Sequence, residues 1–259
     1  MSKFRLTKRA FSYPYLLFML LFVVLPLVLI LVNAFLSNGQ LSFQNFINFF
    51  NDGASLKTLG ISLLVGFITT SLCLFIGYPV AYILAKKNAG KFMVLLFILP
   101  MWVNFLLRTL ATKEIFQALN MPLGMITVII GMVYTYLPFM IMPLHTSLSG
   151  IDKSYAEAAR DLGANEKEVF INTTLPLSVP GIISGITMVF IPTISTFAIS
   201  ELLSDRMITL FGDSINMKFM YDMYGVGSVM SLVMIIFVII SNILMSRTDR
   251  SPKEVKKNV

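Results

Sequence analysis

Residues 150–181 read GIDKSYAEAARDLGANEKEVFINTTLPLSVPG, and the rest of the chain is organised around them. They form the long polar interruption between hydrophobic segments on the side that the charge distribution marks as cytoplasmic. Ser154 followed by Glu157 fits a capping box: the hydroxyl satisfies an orphan amide and the carboxylate reaches back. Ala and Leu favour propagation over 155–162. Tyr155, Ala158, Ala159 and Leu162 share one face at helical spacing. Gly163 stands where a left-handed helix stop belongs. Asn165 and Glu168 form a second cap pair, opening a helix toward Leu175 and Pro176. The pattern predicts helix, sharp glycine turn, helix, with a small apolar face outside the membrane. Such a face either docks a partner or folds back on its own chain.

Composition sets the surroundings of this stretch. Of 259 residues, 56% are hydrophobic and 13% charged, about half the charge fraction of a soluble domain. Several runs approach or exceed the roughly 20 apolar residues that span a bilayer. This is the pattern of an all-α integral membrane protein. A formal charge of +7 raises the question of nucleic acid, but its distribution answers to the membrane instead, and no nucleic-acid partner is expected. Six apolar segments are read, at about 14–36, 59–85, 92–110, 122–148, 177–200 and 226–246. Pro26 is expected to kink the first, and Pro138 and Pro143 to bend the fourth. The basic N-terminus, the turn at Lys86, Lys87 and Lys91, the 150–176 stretch and the C-terminal tail hold fifteen Lys and Arg; the opposite loops hold five. The positive-inside rule therefore places both termini and the 150–176 stretch in the cytoplasm.

The outer loops are short. Residues 37–58 are expected to carry a small surface helix. Ile215, Phe219 and Met223 share a face in the last loop, as a short helix would place them. Lys113 and Glu114 are read as a short loop after the third segment.

The chemistry absent from this sequence narrows its function. The helix interiors hold almost no charge, whereas ion-driven carriers keep carboxylates or His within the membrane. Gly90-Lys91 is followed by Phe92 and lacks the earlier glycine of a P-loop. No HExxH or nucleophile elbow occurs. A single histidine, His145, excludes a multi-histidine metal site, and the single cysteine, Cys73, has no partner for an internal disulfide. The chain is therefore expected to supply a pathway and borrow its energy. A stand-alone secondary carrier or a membrane enzyme is the rival class. The outer half carries Glu201, Asp205, Asp213 and Asp222, with Trp102, Tyr134, Tyr136, Phe197, Tyr221 and Tyr224 as aromatic candidates. Carboxylates beside aromatic faces suit a small organic cation. Interfacial anchoring explains the aromatics equally well.

Glu157, Ala158 and Ala159, then Gly163, then Leu175 and Pro176 resemble the EAA motif, E-A-A-x3-G-x9-I-x-L-P, of permease subunits in bacterial ABC importers. Thr173 stands where that pattern prefers Ile. LPMWVNFLLRTL at 99–110, GMVYTYLPFMIMPLHTSL at 131–148 and MVFIPTISTFAISELLSD at 188–205 are similar to the spermidine/putrescine permease subgroup, over about residues 60–245. The resemblance implies the type I importer permease fold, with six transmembrane helices in a bacterial inner (plasma) membrane. It implies a first helix and outer loop within 1–58, a permease domain over 59–246 and a basic tail over 247–259. The 150–176 loop becomes the coupling element, with Tyr155, Glu157, Ala158, Ala159, Gly163, Leu175 and Pro176 meeting an ATPase subunit. Trp102, Asn104, Tyr134, Tyr136, Phe197, Glu201 and Asp205 become candidates for the substrate pathway, Glu201 as an ammonium partner. The implied partners are two ATPase subunits that bind ATP and Mg, a second permease chain, and an extracellular or periplasmic binding protein. The implied cargo is a polyamine. The same machinery with another organic cation, an amino acid or an inorganic anion is the alternative.

Overall fold

The computed structural model describes residues 12–37, 39–86 and 91–248. The basic residues Lys3, Arg5, Lys8, Arg9 and Lys87, and the tail from 249 onward, lie outside the described residues. Helix α1, Tyr13–Phe35, contains a π turn at Leu20–Val24 immediately before Pro26, where the missing proline N–H relaxes the helical ladder. A two-residue hairpin follows, β1 Leu36–Ser37 and β2 Gln40–Leu41, paired Leu36 to Leu41 and Ser37 to Gln40. Then come α2 Gln44–Asn51 and α3 Gly53–Lys86. At 1.5 Å per residue α3 is about 50 Å long, well beyond the roughly 30 Å hydrocarbon core.

The third apolar segment is not the single helix that its composition suggested. It is α4 Lys91–Ile98, a 3-10 turn at Leu99–Trp102, and α5 Phe105–Ala118. Pro100 removes a backbone donor. Asn104 then restarts the helix, its side chain accepting the Leu106 N–H at 2.9 Å. Lys113 and Glu114, expected in a loop, lie inside α5.

Helix α6, Met125–Ser149, leads to the polar stretch: α7 Lys153–Asp161 and α8 Glu166–Leu177. Helix α8 joins α9, Val179–Ser195, through a 60° bend. The fifth segment thus starts earlier than 177, is bent, and stops at Ser195 instead of 200. Short helices α10 Ile199–Leu203 and α11 Phe211–Met220 precede α12 Tyr224–Thr248. Of the expected apolar face in the last loop, Ile215 and Phe219 lie on α11 and Met223 lies past its end. Among the described residues, four helices are long and apolar enough to cross a membrane, or five when the bent pair counts as one crossing.

The contacts divide the chain into two compact units. One comprises the chain up to Leu56 together with Ser214–Ile236. Its organising residue is Asn45, whose amide donates to the carbonyls of Asn33, Ala34 and Leu36 at 3.3, 3.2 and 2.9 Å. These are orphan acceptors at the end of α1. A Cβ on Gly225 would sit 2.5 Å from the same amide nitrogen.

The other unit comprises Lys57–Asp213 and the chain from Phe237, and it holds the polar 150–176 stretch. Its core is built on α3, α6 and α9, with Cys73, Ala81, Val128, Met132, Met140, Leu144 and Val189 fully buried. Helices α6 and α9 approach closely because Gly181 and Gly185, four residues apart, present no side chain to the other. A Cβ at Gly181 would lie 2.4 Å from Ser147 Cβ, and one at Gly185 2.6 Å from Met140 Sδ. Small residues at this spacing let backbones pack without a hydrophobic driving force, as membrane helices require.

Candidate functional site

The polar stretch folds as helix, turn, helix. The first cap differs from the expected one. Asp152, not Ser154, is the N-cap of α7, its carboxylate accepting the Ser154 N–H at 2.9 Å. This bond holds the Asp152 carboxyl below its ordinary range, because it favours the charged form. Ser154 is the second residue of the helix and not its cap, so Ser154 and Glu157 do not form the expected box.

Helix α7 ends in a Schellman motif. The Ala164 N–H bonds the Ala159 carbonyl at 3.1 Å and the Gly163 N–H bonds the Arg160 carbonyl at 2.8 Å, with Gly163 at φ +90°. Only glycine takes that conformation without steric cost. Asn165 and Glu168 then make a full capping box. The Asn165 side chain accepts the Lys167 and Glu168 amides, and Glu168 accepts the Asn165 amide at 2.8 Å. A charged clasp closes the corner. Arg160 Nε donates to Glu166 Oε1 at 2.7 Å, and Lys86 Nζ, at the end of α3, lies 3.4 Å from Glu166 Oε2. The Glu166 hydrogen bond pushes the Arg160 guanidinium further above its already high range.

The apolar face does not fold back on the chain: Tyr155 is 57% exposed and Leu162 is 90% exposed. Glu157 and Ala158 are exposed, Ala159 is half-buried, and Pro176 is exposed beside a half-buried Leu175. Beneath α7 runs a groove of about 320 Å³ bordered by Tyr82, Lys86, Asp152, Glu157, Arg160 and Glu166. The anchoring residues lie further along. Val169 is buried, and Phe170 packs edge-on against Tyr78 and Tyr82. This anchor was not among the residues expected from the exposed face. The signal was available: Tyr78 and Tyr82 are one turn apart on α3, and Phe170 follows directly on the capped turn.

A cavity of about 540 Å³ lies elsewhere in the same unit, at the break between α4 and α5. Trp102, Asn104, Tyr136 and Phe197 line it with Phe139 and Arg108. Four of the seven pathway candidates thus share one space. Tyr134 does not line it; its ring lies 5.6 Å from the Arg108 guanidinium carbon. Glu201 instead pairs with Arg206 at 2.9 Å and Asp205 with Lys113 at 3.3 Å. Among the described residues no carboxylate borders the cavity. Its one charge is Arg108, 8% exposed, which donates to the Pro100 carbonyl at 2.8 Å and so braces the broken third segment.

Asp213 shapes the cavity wall from behind. Its buried carboxylate accepts the Ala198 amide at 3.1 Å, the Leu210 amide at 2.8 Å and the Ser200 hydroxyl. This fixes Ala198 at φ +71°, directly after Phe197. Burial pushes the Asp213 carboxyl above its ordinary range, against the downward pull of these hydrogen bonds.

Comparison with known proteins extends these observations. The chain matches the family described as binding-protein-dependent transport system inner membrane component over residues 2–253. It is 34% identical over 258 residues to the spermidine/putrescine transport system permease protein PotB of Haemophilus influenzae, covering 89% of each chain. It is 35% identical over 227 residues to PotB of Escherichia coli, covering 78% of this chain and 82% of that one. In fold it is similar to a chain of a bacterial alginate ABC importer, with TM-score 0.62 at 14% identity over 92% of this chain and 94% of the other. It is also similar to a chain of an inward-facing methionine ABC transporter, with TM-score 0.61 at 18% identity over 75% and 94%.

Proposed function

The chain belongs to the family of binding-protein-dependent transport system inner membrane components, and from that membership we propose that it is the permease subunit of an ATP-driven importer of polyamines. The observation that carries the cargo is the 34–35% identity, over most of the chain, to permeases named for spermidine and putrescine. The importer mechanism is supported by the exposed α7 with its glycine stop and doubly capped corner. A rigid, solvent-facing helix is what a soluble ATPase can grip.

In this reading the membrane is crossed six times: by α1, α3, the broken α4–α5 segment, α6, the bent α8–α9 pair and α12. Both termini and α7 face the cytoplasm, on the side with the excess of Lys and Arg. Tyr155, Glu157, Ala158, Ala159 and Gly163 form the contact with an ATPase subunit, and Leu175 and Pro176 set the following bend. Two ATPase subunits bind ATP and Mg, and this chain has no ATPase site of its own. A binding protein on the outer side delivers the cargo. A second permease chain, identical or similar, closes the pathway around the cavity. Closure of the ATPase pair moves α7 and α8 together and alternates access.

The cavity supplies aromatic faces for the cargo's methylene chain and ammonium groups, from Trp102, Tyr136 and Phe197. Arg108 repels a cation, so the carboxylates come from outside this wall. Glu201 joins the pathway by exchanging Arg206 for a cargo ammonium.

The test is uptake of labelled spermidine and putrescine by cells with and without this chain, challenged with unlabelled amino acids and other cations. Loss of uptake on deletion, with competition by polyamines alone, is the expected result. Unchanged polyamine uptake in cells without a redundant system would remove the polyamine assignment.

A further inference from the structure

The exposed face of α7 gives an ATPase something to push, but a push moves the pathway only through whatever fastens α7 and α8 to the membrane helices. Part of that fastening is made to α3. The Phe170 ring stands edge-on to Tyr78 and Tyr82, with centroids 5.9 and 5.3 Å away and interplanar angles of 79° for both. One helical turn apart, the two tyrosines make a single aromatic cleft.

A second tether lies at the bend. Tyr78 Oη and Ser178 Oγ are 2.9 Å apart, and Ser178 is fully buried. Ser178 Oγ also donates to the Leu175 carbonyl at 2.9 Å. Its hydrogen is therefore committed, and Tyr78 is the donor of the pair. The result is a relay from the Tyr78 hydroxyl to the Ser178 hydroxyl to the Leu175 carbonyl. It ends on the backbone at the 60° bend between α8 and α9.

Between the two tethers the backbone is irregular. Residues Phe170–Thr174 form a π turn, a feature often found where helices must adjust. Pro176 has no N–H to offer the Asn172 carbonyl, so the helical ladder is interrupted between Phe170 and Ser178. A segment held by ring edges at one end and one hydrogen bond at the other, with an interrupted ladder between, can swing while staying attached.

We infer that Phe170, Tyr78 and Ser178 are positioning residues for transport. Phe170 in the Tyr78/Tyr82 cleft carries the displacement of α7 and α8 to α3, and the Tyr78–Ser178 hydrogen bond fixes the axis about which α8 turns against α9. The inference rests on the importer reading above and names how motion leaves the coupling element.

The experiment uses the importer assembled with its ATPase subunits and second permease chain in proteoliposomes. Labelled spermidine uptake and ATP hydrolysis are measured in the same vesicles. Tyr78→Phe keeps the ring and removes only the hydroxyl; Ser178→Ala removes its acceptor. Each is expected to lower spermidine moved per ATP by about fivefold, the factor equivalent to one net hydrogen bond, with the amount of complex unchanged. The double variant is expected to be no worse than either single one. Phe170→Ala is expected to lower the same ratio further, and Phe170→Tyr to restore it.

A cargo-independent readout accompanies these. Spin labels on α7 and α3 report how their separation changes when ATP binds, and Phe170→Ala is expected to alter that change. Unchanged spermidine per ATP in all three variants overturns the inference. So does a loss that merely tracks lost complex, or single losses that multiply in the double variant. A wild-type complex that shows the ATP-dependent separation but moves no spermidine overturns the cargo assignment alone, and the spin-label comparison still decides the joint. A wild-type complex with no ATP-dependent separation overturns the importer reading and the inference together.

Discussion

Replacing Gly163 isolates a single physical term. Its φ is +90°, and a Cβ built there meets nothing within 4 Å. A side chain at 163 therefore disturbs no packing and acts only through the backbone. For an L-residue with a Cβ the left-handed region costs about 1–2 kcal/mol, equivalent to about a fivefold to thirtyfold loss in the population of the native turn. Asn tolerates this region better than Ala, and a β-branched Val tolerates it least. The two Schellman hydrogen bonds, from Gly163 to Arg160 and from Ala164 to Ala159, loosen together with the turn. Spermidine uptake per ATP in the reconstituted importer is expected to fall in the order Gly, Asn, Ala, Val, while the binding protein's own affinity for spermidine stays constant. Hydrogen exchange over 159–168 is expected to rise in the same order. Wild-type coupling in Gly163→Val, or an Asn variant as damaged as Val, would refute the reasoning.

Other residues give further expectations. Asp152 caps α7 best while ionised, and its carboxyl is held below the usual range, so the cap is strongest above the ordinary aspartate pKa and weakens as pH falls through the lowered one; mobility of a spin label on α7 is expected to rise at acid pH, and to be raised at every pH in Asp152→Ala. Asp213→Asn turns an amide N–H toward donors that now meet a carboxylate oxygen, at a cost of about 1–3 kcal/mol for an unsatisfied buried group; a lower melting temperature of the purified permease checks this. Gly185→Leu must displace the Met140 side chain and backbone, and is expected to deplete the protein from membranes, measured as the amount recovered in a single size-exclusion peak. Glu201→Gln is expected to raise the KM for spermidine uptake with little change in protein amount; an unchanged KM removes Glu201 from the pathway.

The sequence alone determined most of the local structure of the 150–176 stretch, because helix caps and glycine stops are local physics. Asn165, Glu168 and Gly163 act within a few residues of themselves, so their roles could be read from spacing. Asp152 caps α7 in place of Ser154 because both acceptors stand at the same helix start, and only backbone geometry ranks them. The apolar runs likewise announced a membrane protein, since transfer free energy depends on composition and length. The break at Pro100–Asn104 was not legible, because apolar composition continues straight through it. What tertiary structure decided was which residues meet. Phe170 finds Tyr78 and Tyr82 some ninety positions away, Ser178 finds Tyr78, and Gly181 and Gly185 admit α6. These contacts depend on how helices far apart in the chain pack against each other, and no local propensity encodes that. The same holds for charge: Glu201 and Asp205 looked like free carboxylates in sequence, and the fold gave each a cation.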